Sequence, residues 1–139
     1  MLKGTCARLI FLSVILVAII AVGGCSSKPN PELNLGGIDV EEVFNGQILR
    51  VSQILGGISD QSSLDKAKDE LMVVGTNFDD LIFNSSKLSH DGQTALSMLA
   101  LGEAPKIERL VNEVKASPVL DEKIGGVMED IYKKILSLI

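Results

Sequence analysis

The feature that most constrains this chain is an apolar ladder of Leu64, Ala67, Leu71, Val74, Phe78 and Leu81, with steps of 3, 4, 3, 4 and 3 residues. A helix turns once in about 3.6 residues, so this spacing gathers all six side chains into one stripe. A strand would divide them between two faces. Asp65, Lys66, Lys68, Asp69, Asp79 and Asp80 all avoid the stripe and leave the opposite face to water. Strict 3–4 alternation is the seam of helices packed nearly parallel, so the segment requires apolar partners.

The chain supplies three. Val40, Phe44, Ile48, Val51, Leu55 and Ile58 form a stripe behind Asp39, which with Glu42 has the spacing of a capping box. Ile38 and Val43 are placed to form a hydrophobic staple around that cap, and Gly56-Gly57 marks the helix end. Leu96, Ala100, Ala104, Ile107, Val111 and Val114 form a further stripe, interrupted by Gly102 and Pro105. An interior proline costs a helix about 3 kcal/mol, which predicts a bend near 101–105 or two shorter helices meeting there. The last stripe is Leu120, Ile124, Val127, Ile131, Ile135 and Leu138, behind Ser117 as cap and Pro118 at the first helical position. Asp60 to Ser63 are caps for the second helix, and Ser89-His90-Asp91-Gly92 reads as the turn before the third. No period-2 run flanked by hairpin turns stands out. The expected fold is all-α, an antiparallel up-down four-helix bundle over residues 38–139.

The chain before this domain has a different character. Lys3 and Arg8 make a positive start, and Leu9 to Val22 is an apolar run broken only by Ser13. That run is short of the roughly 20 residues a comfortable membrane span needs, but suits the apolar centre of an export signal. Small residues and a cysteine follow in Val22-Gly23-Gly24-Cys25. Residues 26–37, SSKPNPELNLGG, lack periodicity and read as a flexible tether. The expected division is 1–24 signal peptide, 25–37 lipidated cysteine and tether, and 38–139 bundle.

Val22-Gly23-Gly24-Cys25 resembles the lipobox of bacterial lipoprotein precursors: an aliphatic residue, two small residues and an obligatory cysteine. The resemblance implies cleavage before Cys25, a diacylglyceryl thioether on its sulfur and an N-acyl chain on its amine. Two or three acyl chains anchor a protein stably where one does not. Ser26 and Ser27, rather than an Asp, follow the cysteine; in a Gram-negative host this implies the periplasmic face of the outer membrane, and otherwise the cell membrane. The remainder is similar to small helical lipoproteins of unassigned role. Ile54 to Leu71, with its Gly-Ile-Ser-Asp turn into a helix, resembles uncharacterised bacterial bundle proteins, a short likeness that carries no sites.

Composition narrows the chemistry. The whole chain has net charge −5; without Lys3 and Arg8 the part from Cys25 onward carries 11 basic and 18 acidic residues, net −7. Phosphate binding needs a basic face, so a general nucleic-acid binder is not expected. With Cys6 in the signal, Cys25 is the mature chain's one cysteine and no internal disulfide is expected. His90 is the only imidazole. No Glu-x-x-His pair, haem-attachment motif or G-x-S-x-G elbow accompanies it, and it reads as a polar turn residue beside Asp91. Glu41-Glu42, Asp79-Asp80, Asp121-Glu122 and Glu129-Asp130 are adjacent on helices, about 100° apart, and read as solvated faces.

Gly46, Gly75, Gly102, Gly125 and Gly126 fall inside helices, as sites of close packing or of an adaptable groove. Leu49, Ile54, Val73, Ile82, Phe83 and Leu99 lie off the stripes, and Ile82 with Phe83 forms a candidate partner patch. The expected function is a membrane-anchored, non-enzymatic binding or structural module of the cell envelope, held by the bilayer and serving an envelope protein. It needs no metal and no cofactor beyond the lipid on Cys25. The alternative is a carrier holding a small apolar ligand between its helices, with a cavity near Gly102 and Gly125.

Overall fold

The computed structural model describes residues 30–139. The described chain is predominantly helical, with four long helical segments and one two-stranded ribbon. A 3₁₀ turn, Pro31–Leu33, leads into strands β1 (Asn34–Leu35) and β2 (Ile38–Asp39). Helices α1 (Val40–Gly56), α2 (Gln61–Ser85) and α3 (His90–Ala116) follow. The last segment, α4, covers 118–136 in three pieces: one α turn Pro118–Leu120, a π-helical turn Asp121–Gly125 and an α-helix Gly126–Leu136.

The predicted caps set the starts of α1 and α2. Asp39 Oδ1 accepts from the backbone N–H groups of Glu41 (3.0 Å) and Glu42 (3.2 Å), satisfying two donors that α1 leaves open. The reciprocal half of a box is found instead at α2. There Asp60 accepts from Ser63 N–H (2.8 Å) while the Ser63 hydroxyl accepts from Asp60 N–H (2.9 Å). At the far end of α2, the side chains of Asn84, Ser85 and Ser86 donate back to the carbonyls of Asp80, Ile82 and Phe83. Such bonds compete with further helical bonding and close the helix.

The core is built from the four stripes. Phe44 and Phe78 meet edge-on at its centre, ring centroids 6.0 Å apart. Leu71, Ala100, Ile107, Ile124 and Ile131 are fully buried around them. The closest helix packings are α1 on α2, α2 on α4 and α3 on α4, with a lighter contact of α1 on α3. Helices α2 and α3, though consecutive, are not among the closely packed pairs. Lys123 pairs with Asp65 near the starts of α4 and α2, and Lys134 with Asp79 further along both. Gln47 and Asn77 join α1 to α2 at 3.0 Å. Ser97, early in α3, donates to the carbonyl of Ile139.

Four expectations are corrected. Residues 31–37, read as the end of a flexible tether, are folded: Asn30 caps the 3₁₀ turn and Leu33 is 1% exposed, inside the core. The ribbon that follows pairs Leu35 with Ile38 across Gly36-Gly37. Both glycines have positive φ (60° and 85°), which a two-residue hairpin turn of this kind demands. Strands of two residues are too short to carry a period. Third, α3 begins at His90, with Ser89 as its cap, and continues through Pro105 as one helix rather than as two shorter ones. Pro105 and Leu101, whose carbonyl loses a donor, both lie on the exposed face, where water can replace the missing bond.

The fourth correction lies in α4. A π turn lies early in the segment, and one member of the buried stripe differs from the expectation: Met128 is fully buried and Val127 half-buried, while Ile131, Ile135 and Leu138 are buried as expected. At Gly125 the Asp121 carboxylate folds over the place where a β-carbon would stand. Ser117 occupies the cap position of α4 but makes no side-chain cap bond.

Candidate functional site

The described residues form an apolar concave surface beside the ribbon. A cleft of about 350 Å³ is bordered by Leu35 and Ile38 of the ribbon, Val40 and Val43 of α1, and Leu81 of α2. Its polar edge is the amide pair Gln47–Asn77 with Asp80 and Asn84. The spacing of Ile38 and Val43 predicts a staple, and both do border one surface; yet Ile38 is 60% exposed and Val43 is partly exposed. Apolar walls with a few amides and one carboxylate can hold an apolar chain or side chain. They bring no nucleophile, base or ligand set together.

A second depression lies around His90, lined also by Ser85, Thr94, Ser97 and Ser137. A hydroxyl-rich pocket at the only histidine is where hydrolytic chemistry would have to sit. The hydroxyls are committed elsewhere. Ser85 donates to the Ile82 carbonyl, Thr94 to His90, Ser97 to Ile139 and Ser137 to Lys134. His90 itself is exposed at the first position of α3. A base must lie within hydrogen-bond reach of the group it activates, and these serines face backbone carbonyls instead.

The best-organised charged cluster centres on Lys134. Its Nζ lies 2.9 Å from Asp79, 2.9 Å from Asp130 and 3.2 Å from the carbonyl of Gly75. Burial pulls this ammonium's pKa down, but the hydrogen bonds it donates to Asp130 and Asp79 outweigh it, and the net shift is upward. Gly75 is buried beneath the lysine, so the close-packing reading of that glycine fits. The cluster is a clamp between α2 and α4. Glu113 on α3 is also shifted upward, but by burial, which disfavours its charged form and is opposed by Arg109.

The remaining predicted sites divide as follows. Gly102 faces open space, Gly125 is covered by Asp121, and neither borders the cleft beside the ribbon or the depression at His90. Ile54 is buried, Ile82 and Leu99 pack partly against the core, and Phe83 stands 68% exposed with the Lys87 ammonium 4.7 Å from its ring centre. The two members of the predicted patch therefore separate. Glu41-Glu42, Asp121-Glu122 and Glu129-Asp130 sit at the surface, and Glu129 pairs with Lys115. Among the described residues no group of three or more His, Cys, Asp or Glu is placed to hold a metal ion. Among them, too, no helix is long and apolar enough to cross a membrane. The expected signal segment 1–24, with the expected lipobox residues Val22, Gly23 and Gly24, and Cys25 lie outside the described residues.

Sequence reasoning missed the cleft because its walls come from a ribbon and two helix ends, each too local to show a pattern. Only Gly36-Gly37 signalled a turn there. The described residues define a small, mainly α-helical domain with an apolar cleft beside its ribbon. No protein-family model matches the chain, and no curated protein or solved structure matches it.

Proposed function

We propose that this protein is a membrane-anchored bacterial lipoprotein whose helical domain is a non-enzymatic binding or structural module of the cell envelope. The observation that carries the reading is the sequence Val22-Gly23-Gly24-Cys25 behind a basic start and a short apolar run. Acylated Cys25 is the anchor. The bilayer is its first partner and an envelope protein its second.

The helices are read as an up-down bundle with alternating directions. Asp65–Lys123 and Asp79–Lys134 support α2 and α4 running the same way, and Gln47–Asn77 is in keeping with α1 running against α2. A single apolar cluster that draws on all four stripes supports a contact module ahead of a carrier whose cavity lies between the helices.

The test is metabolic labelling with radioactive palmitate. The wild-type chain takes up label and fractionates with membranes; Cys25→Ala loses the label and accumulates unprocessed. Equal labelling of Cys25→Ala overturns the assignment.

A further inference from the structure

We infer that the end of the domain bearing the ribbon docks directly on the lipid surface, with Ile38 and Phe83 in contact with the headgroup and acyl boundary. This rests on Cys25 being lipidated. Three observations converge on it.

The first is where the described chain ends. Asn30 is five residues from Cys25, a span of at most about 18 Å when fully extended. The end at which the chain leaves the domain is therefore held close to the anchor. Glu32 fixes that exit to the start of α3, its carboxylate accepting from the Ser89 hydroxyl at 2.8 Å. The ribbon carries the chain from there to the start of α1 and the end of α2.

The second is the distribution of exposed apolar side chains. Ile38, Val43, Phe83, Leu136 and Ile139 stand at the end where the ribbon, the start of α1 and the ends of α2 and α4 lie, while Met72, Val73, Met98 and Leu101 are exposed along the flanks of α2 and α3. The opposite end, where α3 passes into α4, presents Val119. Such a bias has no folding value, since exposed apolar groups add nothing to the core. It has a clear use beside a bilayer, where a second weak attachment turns a tether into a defined orientation.

The third is the pairing of Phe83 with Lys87. An aromatic ring beneath an ammonium combines an apolar body with a cation able to reach a phosphate, the arrangement that suits the membrane interface. Glu41, Glu42 and Asp80 stand at the same end, so the contact is apolar rather than a general attraction to anionic lipid. A zwitterionic surface is the matching occupant.

The chain has no tryptophan, so a single one introduced is the sole indole emitter. The lipidated protein, processed at Cys25, is reconstituted into phosphatidylethanolamine–phosphatidylcholine vesicles carrying brominated acyl chains. Variants Phe83→Trp, Ile38→Trp and Val119→Trp are compared, with far-UV circular dichroism verifying the fold. Phe83→Trp and Ile38→Trp emission is expected to be quenched several-fold and Val119→Trp emission unchanged. Vesicle-bound protein with no quenching at 38 or 83 overturns the docking and leaves the anchor standing. A blue-shifted but unquenched signal there assigns the surface to another protein copy and also overturns it. Protein that fails to take up lipid and floats free of vesicles overturns the anchor and the docking together.

Discussion

The backbone of Gly92 lies directly against the carbonyl oxygen of Glu32, so that a β-carbon at position 92 has no room beside it. Two elements distant in sequence, the 3₁₀ turn and the first turn of α3, are joined at this point. Leu88 and the Ser89 side chain close the other sides. Because the obstacle is backbone, it cannot swing away as a side-chain tip can. Gly92→Ala is expected to destabilise the domain by about 1–3 kcal/mol, the usual cost of overpacking, despite alanine's better helix propensity. Chemical denaturation checks it; a variant as stable as wild type would mean that the turn detaches freely.

Local patterns made most of the helices legible. Asp39 and Asp60 cap as their positions predict, and the stripe from Leu64 to Leu81 is buried throughout. What stayed hidden depends on particular contacts. The burial of Met128 in place of Val127 comes just after a π turn in which the Asp121 carboxylate lies over Gly125, a contact no periodicity announces. The ribbon rests on two glycines and four residues. The pairing of α2 with α4 rests on contacts such as Lys134–Asp79, 55 residues apart, which no periodicity encodes. The cleft was unreadable for the same reason: Leu35, Val43 and Leu81 belong to three elements.

Stability against pH should form a plateau with an acid limb. The hydrogen bond from Lys123 holds Asp65 below its ordinary 3.8, and that from Lys115 holds Glu129 below its ordinary 4.5. The Ser63 backbone N–H does the same for Asp60. A lowered folded pKa gives stability that is complete above the ordinary value and is lost as pH falls through the folded one. Lys115 and Lys123, raised above 10.5 by the same bonds, lose theirs only as pH climbs past that value. Glu113 runs opposite, its raised pKa giving a small decline as pH rises above 4.5. Denaturation at stepped pH should therefore show a shallower acid limb for Asp65→Asn, and a shallower one for wild type in high salt, since these pairs are exposed.

The Lys134 clamp offers a measurement of coupling between α2 and α4. Its ammonium is shielded while both carboxylates remain largely in water. Lys134→Met keeps much of the stem and removes the charge. The expected loss is about 1 kcal/mol or less, the range for partly exposed ion pairs. A double-mutant cycle with Asp79→Asn should return a favourable coupling; strict additivity would show that the two groups do not interact in solution.

Pro105 supplies the opposite kind of test. It sits inside α3 and removes the N–H that would bond to the carbonyl of Leu101. Both residues are exposed, so the ring fills no core space whose loss would offset a gain. The buried neighbours Ala104 and Ile107 already hold the helix on course. Pro105→Ala restores a donor to that carbonyl at a position where alanine's helix propensity exceeds proline's by about 3 kcal/mol. Part of that gain is lost because the unfolded chain also becomes freer. The variant should melt at a higher temperature than wild type, with unchanged helical circular dichroism. A lower melting temperature would mean that the proline fixes a bend on which the packing of α3 against α4 depends.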